Sequence, residues 1–164
     1  MIVYSFTYGQ AKMILDFFET FPYPEKFECF AEYEEGAEDL PLFYNRSENV
    51  NQGTVLYDEI GFQLTKRIKP EGFCQRFLNW LCRRNNRVPL FLSEKASCFL
   101  HYYLTAVQAF LRKEVLDMEC EGKRECHTDY LATVVAVGFC EDVLYKVRAL
   151  MQFAPFERGC DDDL

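Results

Sequence analysis

The spacing of apolar residues changes along this chain, and the change limits its possible folds more than any other feature. Residues 2–8, IVYSFTY, alternate so that Ile2, Tyr4, Phe6 and Tyr8 share one face of a predicted strand. Residues 10–21 switch to helical spacing, and Pro22 cannot continue a helical hydrogen-bond ladder. The N-terminus therefore predicts one strand followed by one early helix.

Three more segments before residue 69 are predicted to be strands. Residues 26–35, KFECFAEYEE, alternate in the way that is typical of a half-solvated antiparallel strand. Residues 40–44, LPLFY, are a candidate short strand. Residues 54–68, TVLYDEIGFQLTKRI, predict a strand broken near Gly61, or a hairpin. The sequences between these segments are polar loops by composition.

The second half of the chain has helical spacing. Residues 69–87 predict a helix whose one face is expected to belong to the core, and VPLFL at 88–92 is predicted to be a connector. Ser93 is a candidate N-cap for a helix over residues 94–119. A last helix is predicted over residues 128–153. The apolar face of the first of these helices consists of Phe73, Phe77, Trp80 and Leu81.

The first half of the last helix is apolar all round, which is typical of a central helix. Its β-branched valines leave a buried strand over residues 131–139 as an alternative. The stretch 116–130, LDMECEGKRECHTDY, contains Gly122 and candidate caps, and it predicts the bend of a helical hairpin.

Strands that precede a group of helices predict the α+β class. We expect an N-terminal antiparallel sheet with one early helix, followed by a C-terminal group of about three helices packed on it. The 164 residues are predicted to form a single domain with a strand-rich half (1–68), a helical half (69–153) and an acidic tail (154–164).

The net charge of −8 is unevenly distributed. Residues 16–59 hold 12 acids and two bases, whereas residues 60–90 hold seven bases and one acid. The acidic and basic blocks either face each other in the fold and cancel, or form two separate electrostatic surfaces.

Neither a catalytic motif nor a metal-binding motif is present. Cys120 and Cys126 are too far apart in sequence for a zinc knuckle, and a second pair is missing, so no metal or cofactor is predicted. The sequence shows neither a signal peptide nor an apolar run of membrane-spanning length, which favours a cytoplasmic protein with reduced cysteines.

Two alternatives remain open beside a binding function. One is a small enzyme with a site assembled from dispersed residues around His101, or around Cys126 and His127. The polar stripe that contains His101 is either a cleft lining or a solvated face, and it consists of Ser97, His101, Thr105, Gln108 and Arg112. The other alternative is nucleic-acid binding through the basic segment 66–87, which the overall negative charge disfavours.

Charge and the missing motifs favour a small acidic protein-interaction module. We expect a basic protein partner. One such partner would be a nucleic-acid-handling enzyme, which the module would inhibit by occupying its basic binding surface. We expect neither membrane binding nor direct nucleic-acid contact. The expected partner-binding residues lie on the acidic strand and the loop after it, and they are Glu28, Phe30, Glu32, Glu34, Glu35, Glu38 and Asp39.

Overall fold

The computed structural model of the chain describes residues 1–23, 47–69, 76–77, 80–81, 84–122 and 128–153. The elements in these residues are β1 (Ile2–Phe6), α1 (Tyr8–Thr20), α2 (Ser47–Ile68), β2 (Val88–Leu92), α3 (Glu94–Cys120) and α4 (Thr128–Phe153). The described residues between 76 and 85 are helical as well. The α+β class is confirmed, but the elements are not segregated as the sequence predicted.

The two described strands form an antiparallel sheet from distant parts of the chain. Tyr4 pairs with Leu90 and Phe6 with Val88, and all four side chains are buried. Helices α1 and α4 contact β1, whereas α2 and α3 contact β2. The helices therefore cover one face of the sheet, and Val3 and Phe91 are exposed on the other face.

The segment predicted to be a connector is therefore the second strand. Val88, Leu90 and Leu92 are buried, and Phe91 between them faces outward, which is the period-two pattern of a half-buried strand. The strand-rich and helical halves are thus not separate, because this strand lies within residues 69–153.

Helix α2 replaces the strand or hairpin predicted over residues 54–68. Ile60, Leu64 and Ile68 are buried at intervals of four residues, which is a helical period, whereas Phe62 and Lys66 between them are exposed. The apolar residues of this segment fit both the two-residue period of a strand and the period of a helix. Its contacts with α1 and α3 favour the helix.

The early helix forms as predicted, and its start explains why the chain turns there. The Thr7 hydroxyl accepts a hydrogen bond from the Gln10 backbone amide at 3.2 Å, and the Gln10 side chain accepts one from the Thr7 amide at 3.1 Å. This capping box satisfies two amide groups that have no partner inside the helix.

The two long C-terminal helices are confirmed. The Ser93 hydroxyl caps α3 by accepting from the Ala96 amide at 3.0 Å. Residues 131–139 are helical, so the alternative strand is wrong. The expectation of a central helix is also wrong, because Leu131, Val134 and Val135 in the first half of α4 are exposed.

An aromatic cluster connects α1, α2 and α3 in the core. The ring of Phe18 stacks on Tyr57 at 4.4 Å and meets the edge of Tyr103 at 4.7 Å. The Tyr103 hydroxyl donates to the carbonyl oxygens of Phe17 and Phe21, each at 2.9 Å, so it binds the C-terminal end of α1.

Several predicted segments lie outside the described residues. These are the two predicted strands at 26–35 and 40–44 and the acidic tail at 154–164.

Candidate functional site

His101 lies half-buried on α3, where α3 packs against α4. Its Nε2 atom accepts a hydrogen bond from Nε of Arg148 at 2.7 Å. Burial, and secondarily the Arg148 charge, lower the pKa of the imidazole. The ring is therefore neutral at neutral pH, and its accepting nitrogen is already occupied, which makes His101 a poorly placed general base.

The polar stripe that contains His101 follows the border between α3 and α4. Arg112 forms a 2.6 Å ion pair with Glu141 of α4. Ser97 is buried, and its hydroxyl donates to the Ser93 carbonyl at 2.9 Å. The stripe and α4 together line an open groove whose described residues are Gln108, Arg112, Glu141, Asp142, Leu144, Tyr145 and Arg148. These lining residues include no serine or thiol nucleophile.

The described cysteines are free thiols, and the structure gives no support for a reactive one near His101. Burial, and secondarily Glu94, raise the pKa of Cys98, one helical turn before His101. Burial, with a smaller effect of Glu141, raises the pKa of Cys140 to about 12. Both are therefore protonated and weakly nucleophilic at neutral pH.

The remaining enzyme candidates and the expected acidic interface belong to other parts of the sequence. Cys126 and His127 lie outside the described residues, as do all seven expected partner-binding residues, which are Glu28, Phe30, Glu32, Glu34, Glu35, Glu38 and Asp39. Within the ranges that the structure describes, no three or more His, Cys, Asp or Glu side chains are grouped as they would be to hold a metal ion.

A surface that the sequence did not predict lies on α4, opposite its core face. Leu131 and Val135 are 48% and 54% exposed, and Val134 and Gly138 are exposed with them. The spacing of these four residues, which we call the α4 outer face, places them on one side of the helix. The signal in the sequence was the run that is apolar all round, which was assigned to a central helix.

The surroundings of the α4 outer face are apolar and acidic. Val115, Leu116, Val134 and Val137 line a groove between α3 and α4. The described residues of 112–122 and 128–142 contain two bases and seven acids, a net charge of −5. The acids are Glu114, Asp117, Glu119, Glu121, Asp129, Glu141 and Asp142.

The basic segment 66–87 differs from expectation in its aromatic residues. Phe77 and Trp80 were predicted to be core, but they are 55% and 50% exposed. Helical spacing correctly predicts that Phe77 and Trp80 lie on the same side of a helix. The local sequence does not determine whether that side faces the core or the solvent. Phe73, in the same predicted face, lies outside the described residues.

Comparison with protein-family models, with curated proteins and with solved structures found no match to this chain. None of the described helices combines the length and the apolarity that are needed to cross a bilayer.

Proposed function

We propose that this protein is an acidic protein-interaction module that docks on a basic protein partner through the α4 outer face and its acidic surroundings. The observation that carries the proposal is the exposure of apolar side chains on a helix whose opposite face is already packed in the core. Cys140, Val143, Leu144 and Val147 form that packed face. A contiguous apolar face left in solvent is typical of a protein-binding surface.

The charge around this face favours a basic partner. Asp129 precedes the outer face in sequence, Glu141 and Asp142 follow it, and all three side chains are exposed. An apolar centre with a charged rim is the usual composition of a protein interface, and the rim sets partner choice and association rate more than affinity.

A second source of negative charge is the acidic segment over residues 24–46. Residues 24–46 contain seven acids and two bases, a net charge of −5. We propose that Glu28, Glu32, Glu34 and their neighbours steer the same basic partner, with Phe30 as an apolar contact. The partner class that this charge fits is a nucleic-acid-handling enzyme, whose basic binding channel the module would occupy as an inhibitor.

The wild-type protein and the double variant Val134→Ser, Val135→Ser are each used as bait to capture proteins from an extract of the native host. A protein that the wild-type bait captures is then purified, and its affinity for the wild type and for the double variant is measured by calorimetry. We expect the double variant to bind about tenfold more weakly, which corresponds to about 1.4 kcal/mol and is the effect of truncating side chains at the energetic centre of an interface. The melting temperature should stay near that of wild type, because both valines are exposed.

Val55→Ser is the matched control, since Val55 is also an exposed helical valine but lies on α2. Glu32→Lys with Glu34→Lys should slow association, whereas Lys123→Glu with Arg124→Glu should not. If the same partner binds wild type and the α4 double variant equally, this face is not the interface.

A further inference from the structure

We infer that the exposed aromatic and basic side chains between residues 62 and 91 form a binding surface for single-stranded nucleic acid, with Trp80 as a stacking platform. We call these residues the basic–aromatic surface, and its described members are Phe62, Lys66, Arg67, Arg76, Phe77, Trp80, Arg84, Arg87 and Phe91. This inference takes up the alternative of nucleic-acid binding through the basic segment 66–87, which the overall negative charge disfavours.

The first argument is uncompensated positive charge. Lys66, Arg76, Arg84 and Arg87 are exposed, and none of them makes a salt bridge to a described residue. Residues 60–90 contain a single acid, Glu71, against seven bases. These four cations are close in sequence, and no acid that the structure describes is ion-paired with them.

The second argument is the exposure of aromatic rings beside these cations. Phe77 and Trp80 stack at 5.8 Å between ring centroids, and the Arg84 guanidinium lies over the indole at 5.3 Å. On α2, Nζ of Lys66 lies 3.9 Å from the centroid of the exposed Phe62 ring. Solvent-exposed rings with adjacent cations are the two components that proteins use to bind single strands, because bases stack on the rings and phosphates pair with the cations.

The third argument is that part of this surface is held rigid. The Gln63 side chain accepts from the Phe91 amide at 3.1 Å and donates to the Phe91 carbonyl at 2.9 Å. These two bonds fix α2 against β2, and the Arg67 guanidinium lies 5.6 Å from the Phe91 ring. Arg87 directly precedes β2, so its Cα lies within about 13 Å of that of Phe91 along the strand.

Rings and cations together favour a single strand over other anions. A duplex hides the faces of its bases, and an acidic peptide supplies charge without a series of planar faces. Exposed acids farther than about 8 Å from these cations oppose binding only weakly, because salt largely screens charges at that separation under physiological conditions.

Trp80 provides a direct assay, because it is the only tryptophan in the chain. Full-length protein is titrated with an oligothymidylate of about 16 nucleotides, the upper end of the site size of one small single-strand-binding domain. We expect saturable quenching of tryptophan fluorescence, and affinity that falls steeply with salt because phosphate binding releases counterions. Polyphosphate and polyglutamate, which lack bases, should not quench comparably.

Variants are compared by the anisotropy of a labelled oligothymidylate. Trp80→Leu should weaken binding about tenfold through loss of base stacking. Lys66→Gln with Arg84→Gln should reduce the slope of log affinity against log salt by up to about 1.4, since each phosphate contact to a single strand contributes about 0.7. Lys12→Gln, which changes an exposed lysine on α1, should leave binding unchanged.

Three results would overturn the inference: no binding of oligothymidylate at low salt, equal quenching by polyglutamate, or wild-type affinity in both the Trp80 and the Lys66–Arg84 variants. Thermal unfolding of each variant establishes that it is folded. The charge variants alter only exposed polar side chains, so they test the surface even if Trp80→Leu lowers stability.

Discussion

Gly53 lies where α2 meets the ring of Tyr23, and replacing it with alanine tests the packing of that helix. A Cβ atom at position 53 would lie 2.6 Å from Cζ and 2.7 Å from Cε1 of Tyr23, and closer still to its hydroxyl oxygen. The ring is buried and meets the edge of Phe99 at 5.1 Å. Because Phe99 is itself fully buried, the ring cannot move aside without disturbing the core.

Gly61 provides a matched control in the same helix. A Cβ there would meet Cδ2 of Phe18 at 3.5 Å, which is an ordinary van der Waals contact. Both substitutions gain roughly the same helix propensity, about 1 kcal/mol. The difference between them therefore isolates the clash, and overpacking of a core typically costs about 1–3 kcal/mol.

We expect Gly53→Ala to be about 1–3 kcal/mol less stable than Gly61→Ala in urea unfolding followed by circular dichroism. The corresponding difference in melting temperature is roughly 3–9 °C for a chain of this size. Adding Tyr23→Phe, which removes the nearest atom, should recover part of the loss in a double-mutant cycle. Equal stability of the two alanine variants would refute the packing of Tyr23 against α2.

Two further predictions concern hydroxyl groups and pH. Tyr4→Phe should leave stability nearly unchanged, because the buried Tyr4 hydroxyl has only a weak contact with Ser97 and no other hydrogen-bond partner among the described residues. Tyr103→Phe should cost about 1–3 kcal/mol, because it removes a hydroxyl bound to two carbonyl oxygens. A loss in the Tyr4 variant as large as that in the Tyr103 variant would contradict this contrast. His101 has a lowered pKa, so the unfolded state binds the proton more readily and the free energy of unfolding should fall as the pH drops below about 6.5. Arg148→Leu should raise the His101 pKa in an NMR titration and reduce this fall, although burial keeps the pKa below its ordinary value; an unchanged pKa would contradict the contribution of Arg148.

The parts of the fold that could be predicted from sequence are those that depend on neighbouring residues. The Ser93 cap and two long helical patterns were sufficient for α3 and α4. Alternation over residues 2–8, followed by helical spacing over residues 10–21, was sufficient for β1 and α1 but not for the boundary between them. In each case the residues that determine the element are neighbours in sequence, separated by no more than one or two helical turns or a few strand residues.

The parts that could not be predicted depend on residues far apart in sequence. Residues 54–68 fit a strand pattern and a helix pattern equally, and only contacts with α1 and α3 decide between them. Residues 88–92 become a strand because β1, more than 80 residues earlier, pairs with them. The Arg148–His101 hydrogen bond joins residues 47 apart in the same way. Exposure of Trp80 was unpredictable for the related reason that a helical face has no local label for core or solvent.

The α4 outer face and the basic–aromatic surface are proposed for one small protein. Together they determine whether adding this protein to a partner–strand complex releases the strand or strengthens its binding. If the α4 outer face docks on the nucleic-acid-binding surface of the partner, the module and the strand compete for that partner. The released strand can then bind the basic–aromatic surface. This binding lowers the concentration of free strand, so by mass action it favours release of the strand from the partner. The Val134–Val135 double variant should therefore need about tenfold more module for the same displacement, whereas Trp80→Leu should only reduce the extent of displacement. A bridging arrangement predicts the opposite sign, because a strand held by both proteins would bind the partner more tightly when the module is added.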